Sequence, residues 1–245
     1  MSLKLSFLMS TYNEEKRALS IAVDSILNQT YPNFQFVIVD DGSEIPVETT
    51  INMDNRILLI RLLENVGLTK ALNIGLSRCT GDIVIRQDSN DYSDPSRAKI
   101  TKKFFEEHPD IVMVNSSYTV ADRNGNIIEQ VHRKSNSSEK IKYDLLGWNY
   151  FYPHSGVSFR KMEILSLGGY NERYRYSQDY ELYCKCALKY KLDFIEDLLV
   201  TYVTDNSPER NKKNKEQRML AEEIRKNYNE QFQRQIEAKL KKNKE

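Results

Sequence analysis

The sequence predicts an α/β fold built on a mostly parallel central sheet, and three observations carry that prediction. Short apolar runs alternate with stretches of helical periodicity through the first hundred residues. The apolar runs are nearly continuous rather than alternating, so the strands need cover on both faces, which repeated strand-helix units provide. Each run also ends in acids, amides or hydroxyls, and in such sheets ligands lie beyond the carboxyl ends of the strands.

The elements follow in order. Leu5, Phe7 and Met9 open a strand, and Ala18, Ile21, Ala22, Ile26 and Leu27 then recur at helical spacing before the turn at Tyr31-Pro32. Phe36-Val37-Ile38-Val39 predicts a strand buried on both faces, and residues 57–63 predict another. Residues 67–79 carry Leu68, Ala71, Leu72, Gly75 and Leu76 on one helical stripe, and Ile83-Val84-Ile85 supplies a fourth strand. Pro95 is expected as the first residue of a helix running toward His108. After Ile111 the pattern predicts shorter strands, a hairpin turn at Asn124-Gly125, a helix near 139–147, and an aromatic cluster at Trp148, Tyr150, Phe151 and Tyr152. From Glu209 onward, Leu220, Ile224, Tyr228, Phe232, Ile236 and Leu240 stand at every fourth position in a charged background. That spacing predicts a helix with a thin apolar stripe, docking on its own domain, a partner or a membrane surface.

Composition narrows the function. Among 245 residues, 36 Lys and Arg face 35 Asp and Glu, so the balance does not call for nucleic acid as a partner. The basic excess sits in residues 208–245, with twelve basic against seven acidic side chains. Three cysteines, Cys79, Cys184 and Cys186, form neither a disulfide framework nor a zinc motif, which implies a reducing, cytoplasmic compartment. The longest apolar runs are far shorter than the roughly 20 residues that span a bilayer, so any membrane contact is expected to be peripheral.

The strand ends hold the candidate chemistry. Asp88-Ser89-Asn90-Asp91 offers oxygens suited to a hard divalent cation such as Mg²⁺ or Mn²⁺, which takes the rest of its shell from water and substrate phosphates. The competing reading is helix entry, because Asp94 before Pro95 would cap a helix; that accounts for Asp94 but not for Asp88 or Asp91. Asp40-Asp41-Gly42-Ser43 is either an ordinary Asp-Gly turn or part of the same acidic edge, since adjacent acids repel unless a ligand or cation uses them. Ser177 caps the helix that follows it, or Asp179 projects as a base, and the residues alone favour the cap. His154, taken alone, is more often a satisfied structural residue than a catalytic one.

Taken together, the segments resemble the family 2 glycosyltransferases, the inverting class with a GT-A fold, and especially their bacterial capsule and cell-surface polysaccharide members. The likeness runs from about Leu5 to Asn206. It rests on Met9-Ser10-Thr11-Tyr12-Asn13-Glu14, Ser25-Ile26-Leu27-Asn28-Gln29-Thr30-Tyr31, Val39-Asp40-Asp41-Gly42-Ser43, Glu64-Asn65-Val66-Gly67-Leu68 and Ala71-Leu72-Asn73-Ile74-Gly75. Further on it includes Arg86-Gln87-Asp88-Ser89-Asn90-Asp91, Gly168-Gly169-Tyr170-Asn171-Glu172 and Gln178-Asp179-Tyr180-Glu181-Leu182.

The resemblance implies a GT-A domain over residues 1–208, with a nucleotide-binding half at 1–110 and an acceptor half at 111–208, followed by the charged helix at 209–245. It implies that Ser10, Thr11, Tyr12, Glu14, Asp41, Lys70 and Asp88 bind the nucleotide donor, usually a UDP-sugar. Asp88, Asn90 and Asp91 would surround Mn²⁺ or Mg²⁺, Asp179 would be the catalytic base, and His154 would stand near the acceptor and diphosphate. The implied acceptor is a hydroxyl of a glycan or a lipid-linked sugar.

Two departures qualify the likeness. Asn90 replaces the acid that relatives generally place at the third position of Asp-x-Asp, so weaker cation binding is expected. Tyr202-Val203-Thr204-Asp205 lacks the Arg-x-His-like pair that relatives use to close over the diphosphate. These departures leave one rival, a nucleotide-sugar-binding domain that has lost turnover. A second rival, a nucleotidyltransferase, would need a glycine-rich triphosphate loop, and Ser10-Thr11-Tyr12-Asn13-Glu14 has no glycine.

Overall fold

The computed structural model describes residues 2–147, 152–204 and 208–242, with the side chains of 215–235 and 237 described in the last helix. The expected aromatic residues Trp148, Tyr150 and Phe151 lie outside the described residues.

The first half follows the strand-helix pattern. Strand β1 (Leu5–Thr11) leads into helix α1 (Lys16–Leu27), then β2 (Phe34–Asp40), β3 (Ile57–Arg61), α2 (Leu68–Arg78) and β4 (Ile83–Arg86). The order across the sheet is β3-β2-β1-β4 with every pair parallel, Leu5 standing opposite Phe34 on one side and Ile83 on the other. Alternate side chains of a strand point to opposite faces. Phe7, Met9, Phe36 and Ile38 therefore pack with Leu19, Ala22, Val23 and Ile26 of α1, while Leu8, Val37 and Val39 pack with Ala71, Leu72 and Leu76 of α2. Two apolar faces explain why these strands read as continuous apolar runs.

β3 departs from the expectation. It pairs only with β2, its side chains are exposed or half-buried, and it stops at Arg61 rather than Leu63. An edge strand lacks the second neighbour and the cover that full burial requires. The strand β5 (Tyr92–Ser93) precedes helix α3 (Arg97–Glu107), which starts two residues later than Pro95. Asp94 does not cap α3 directly; its carboxylate accepts hydrogen bonds from the Ser96 amide at 2.8 Å and the Ser96 hydroxyl at 2.5 Å, shaping the turn before the helix.

The second half is mixed. It runs β6 (Ile111–Ala121), β7 (Ile127–Val131), α4 (Ser138–Gly147), β8 (Ser158–Arg160), α5 (Lys161–Ser166), α6 (Gln178–Lys189), β9 (Lys191–Val203) and α7 (Pro208–Lys242). β8 is antiparallel to both β4 and β6, β9 runs parallel to β6, and β5 pairs antiparallel with β9. The expected shorter strands are instead the longest, with 11 residues in β6 and 13 in β9. Buried polar residues Asn115, Ser116 and Ser117 and a register shift in the middle of the pairing disguise β6 as broken pieces. The Asn124-Gly125 turn does close a hairpin, with Gly125 at φ 86° and the Asp122 carboxylate accepting from the Asn124 and Asn126 amides.

α7 packs on its own domain. Ile224 and Phe232 are fully buried in the cluster that also holds Ile141 and Leu145 of α4 and Leu182 and Cys186 of α6, and Leu220 and Tyr228 pack against it. No helix among the described residues is long and apolar enough to cross a membrane.

Candidate active site

A cleft of about 810 Å³ opens at the carboxyl ends of the parallel strands. Its floor is formed by Ser10, Thr11 and Tyr12 from the end of β1, Asp41 just after β2, and Asp88, Ser89 and Asn90 after β4. One wall is the entry to α2, including Gly67, Thr69 and Lys70, and the other carries Glu172, Arg175 and Tyr176. Seven of the expected residues, Ser10, Thr11, Tyr12, Asp41, Lys70, Asp88 and Asn90, thus share one cavity.

Asp41 is the keystone of the floor. Its carboxylate accepts from the Val66 amide at 2.8 Å, the Gly67 amide at 3.0 Å and the Asn65 side chain at 3.1 Å, which fixes the start of α2 against the end of β2. Burial raises its pKa, and the two amide hydrogen bonds oppose that rise. Gly42 must be glycine here: its φ is 77°, and a Cβ would stand 2.6 Å from the Glu64 carbonyl carbon. Gly67, at φ 91°, makes the second left-handed turn needed to enter α2. The neighbouring Asp40 is buried; its Oδ1 accepts from the Ser43 amide at 2.9 Å, and its Oδ2 lies 3.8 Å from Arg61.

The Asp88 segment is held from beneath by two buried arginines. Arg86 donates to Asp88 Oδ1. Arg97 donates to Gln87 Oε1, the Ser93 hydroxyl, and the carbonyls of Arg86 and Ser155. Gln87 in turn donates to the Asp91 carbonyl at 2.7 Å. Burial pulls the Arg97 pKa down to about 9, still above neutrality, so a charged guanidinium ties four segments of chain together. Local motif reading does not reveal Arg97, whose partners come from β4, β5 and the stretch before β8.

Asp91 does not join the cleft. It is 1 % exposed, with one carboxylate oxygen accepting from the Ser155 hydroxyl and the other from the Val203 amide at 2.8 Å. A carboxylate so enclosed is removed from the expected cation shell. Asp88 and Asn90 remain, one carboxylate and one amide oxygen facing an open cleft. That donor set fits a hard divalent cation whose other ligands are phosphate and water. Among the described residues no cluster of three or more His, Cys, Asp or Glu side chains could hold a metal without such help.

Glu14 stands at the edge of the cleft. Its carboxylate accepts from the Ser89 hydroxyl at 3.0 Å, and it lines two smaller hollows of about 280 and 440 Å³ beside the cleft. His154 turns inward, hydrogen-bonded at 2.9 Å to the Tyr170 hydroxyl, and burial holds its pKa well below the ordinary value. Through Tyr170, whose hydroxyl feels the charges of Asp88 and Asp179, it stands behind the floor of the cleft.

Asp179 is the second residue of α6 and is 7 % exposed. Ser177 does not cap the helix: it adopts φ 57°, and its hydroxyl donates instead to the Gln217 carbonyl of α7 at 2.9 Å. Burial raises the pKa values of Tyr170 and Tyr183, and the charges of both Asp179 and Asp88 push them further. The two carboxylates therefore act on the same pair of buried hydroxyls. Sequence reading missed Asn65, Thr69, Arg175 and Tyr176 as cleft residues; the signal was the Glu64-Asn65 strand end and the polar stretch after Gly168-Gly169.

Residues 6–168 match the family described as Glycosyl transferase family 2. The chain is 31 % identical over 211 residues to an uncharacterized glycosyltransferase of Methanocaldococcus jannaschii, a match covering 82 % of this chain and 71 % of that protein. It is 32 % identical over 192 residues to the UDP-Gal:alpha-D-GlcNAc-diphosphoundecaprenol beta-1,3-galactosyltransferase of Escherichia coli, covering 74 % and 67 %. Among solved structures it resembles Staphylococcus aureus TarS 1-349 in complex with UDP-GlcNAc, with a TM-score of 0.68 at 21 % identity over 84 % of this chain. The chain spans 60 % of that structure's length. The shared architecture is the GT-A fold, and with the strand-end blocks in order along a matched segment of this length, the chain belongs to the family 2 glycosyltransferases.

Proposed function

We propose that the protein transfers a sugar from a UDP-sugar to a hydroxyl of a glycan or lipid-linked acceptor, with inversion at the anomeric carbon. The observation that carries this reading is the single cleft that gathers Ser10, Thr11, Tyr12, Asp41, Lys70, Asp88 and Asn90 at the strand ends. The UDP-GlcNAc complex of TarS and the UDP-Gal donor in the name of the Escherichia coli relative support a uridine nucleotide. The names of relatives in amylovoran and O-antigen biosynthesis support a role in building surface polysaccharide.

The nucleoside lies over Ser10, Thr11, Tyr12 and Asp41, where the Asp41 carboxylate holds the pocket's shape. The diphosphate lies toward Lys70 and Asp88. Departure of a nucleoside diphosphate builds negative charge on the leaving group and cationic character on the sugar. Asp88 and Asn90 would hold Mn²⁺ or Mg²⁺, which when bound supplies Lewis-acid stabilisation of the leaving diphosphate. Asp179 removes the proton from the acceptor hydroxyl as it attacks, a contribution of about 10² to 10⁴ in rate. It stands buried in the first turn of α6.

Calorimetric titration of UDP, with and without Mn²⁺, tests the donor assignment first, because it needs no acceptor. Binding is expected under at least the Mn²⁺ condition, and no binding under either sinks the reading. In a UDP-release assay Asp179→Asn is expected to lose about 10²-fold or more in turnover with UDP affinity unchanged. Turnover equal to the parent protein would remove Asp179 from the role of base.

A further inference from the structure

The cleft has an uneven charge economy. Three carboxylates line it, and each is engaged: Asp41 by the Val66 and Gly67 amides, Asp88 by Arg86, and Glu172 by the Asn73 side chain at 3.0 Å. Two cations line it, Lys70 and Arg175, and neither side chain is hydrogen-bonded or ion-paired among the described residues. The Arg175 guanidinium lies against the ring of Tyr176, 5.6 Å from its centroid.

The backbone around Arg175 is anchored although its side chain is exposed. The carbonyl of Tyr174 accepts from the Thr69 hydroxyl at 2.7 Å, which binds this turn to the first turn of α2, the turn that carries Lys70. On the other side, the Ser177 hydroxyl is tied to α7. The two cations therefore line one cleft from adjoining segments, and among the described residues neither is ion-paired. A planar guanidinium offers paired N–H donors that match two phosphate oxygens, and a charge-assisted bond of that kind is about twice as strong as a neutral one. Asn90 adds to the case, because a neutral amide leaves the floor with only one carboxylate to retain a divalent cation.

We infer that Arg175, acting with Lys70, binds the diphosphate of the donor and carries part of the charge that a divalent cation would otherwise neutralise, so that UDP binding persists without metal. The inference rests on the nucleotide-donor reading above and assigns a residue and a charge balance that it leaves open. Arg175 thus holds the leaving group from the wall opposite Asp88.

The test titrates UDP calorimetrically into the full chain and into Arg175→Gln and Arg175→Lys, in EDTA and in Mn²⁺, with uridine binding followed by ligand-observed NMR. The parent protein is expected to bind UDP in EDTA within about tenfold of its affinity in Mn²⁺. Arg175→Gln is expected to weaken UDP binding in EDTA by about tenfold or more, to leave uridine unchanged, and to regain part of the loss as Arg175→Lys. UDP binding by Arg175→Gln equal to the parent in EDTA overturns the inference while the donor reading stands. So does a parent protein that binds UDP only with Mn²⁺. Loss of uridine binding in Arg175→Gln also overturns it, because a diphosphate contact leaves nucleoside affinity alone. If the parent binds neither UDP nor uridine in any condition, the donor reading itself fails.

Discussion

The floor and the far wall of the cleft are held by different means. The floor sits on four parallel strands in register, and its central acid, Asp41, bonds to backbone amides 25 and 26 residues away, at the passage from the neighbouring strand β3 into α2. The wall around residues 170–179 is held by side chains and carbonyls of α7. Arg173 pairs with Glu223 at 2.6 Å, the Asn227 amide donates to the Tyr174 hydroxyl at 3.4 Å, Ser177 donates to Gln217, and the Tyr228 hydroxyl donates to Glu181 at 2.8 Å. Those partners lie 40 to 53 residues further along the chain. The floor is thus a product of local topology, whereas the wall that bears Arg175 and leads into Asp179 is braced by α7 as well as by Thr69 and Asn73 of α2. The family match ends at residue 168, so this wall and its support in α7 both lie beyond it.

If that contrast holds, damage to α7 separates catalysis from nucleotide binding. Phe232 is fully buried beside Ile224, α4 and α6, and Phe232→Ala is expected to cost about 3–5 kcal/mol of stability in chemical denaturation. At low denaturant, where the variant is still folded, turnover is expected to fall while uridine binding stays at the parent level. Equal losses of both would show that floor and wall move together. A smaller effect of the opposite kind is expected from Gly42→Ala, whose Cβ meets the backbone of Glu64 and Asn65. It should destabilise by more than about 1 kcal/mol and weaken uridine binding, because the Asp41 turn is displaced.

The smallest effect concerns pH. His154 sits behind the wall against Tyr170, and burial, aided by the Arg86 charge, holds its pKa well below 6.5. The unfolded chain takes up a proton near pH 6.5 that the folded chain refuses. Stability contributed by the neutral imidazole is therefore present above pH 6.5 and is lost as the pH falls toward the folded value, by at most about 1.4 kcal/mol per pH unit. Urea midpoints between pH 7.5 and 5 are expected to fall less steeply in His154→Gln than in the parent. Parallel slopes would show that His154 takes no part in the acid sensitivity of the fold.

What the sequence made legible follows the same division. Strands β1, β2 and β4, helix α2 and the polar ends that form the floor were evident, because buried parallel strands write continuous apolar runs and their ligand edge writes acids and amides. β6 and β9 escaped notice as long strands, since β6 interrupts its apolar pattern with Asn115, Ser116 and Ser117 and the pairing shifts register there. Asp91 looked like a fellow of Asp88, yet a single turn of chain sends it inward to Ser155 and Val203, partners remote in sequence. The partners of Glu14 and His154 were hidden for the same reason: a side chain's direction is decided by neighbours that spacing does not show. Ser177 was expected to cap α6, and only its left-handed backbone reveals that its hydroxyl serves α7 instead.

The arginine beneath the floor has a consequence for how this protein would look to genetics. Arg97 is fully buried, touches no cleft surface, and supplies four hydrogen bonds to groups of β4 and the residue after it, of β5, and of the stretch before β8. Without it, two buried carbonyls, an amide oxygen and a hydroxyl each lose a donor together, and the floor segment at Asp88 loses its foundation. A screen scored by loss of function alone would recover Arg97 beside the proposed base Asp179 and give both the same phenotype, and only the amount of folded protein in each mutant would tell a scaffold residue from the proposed reagent.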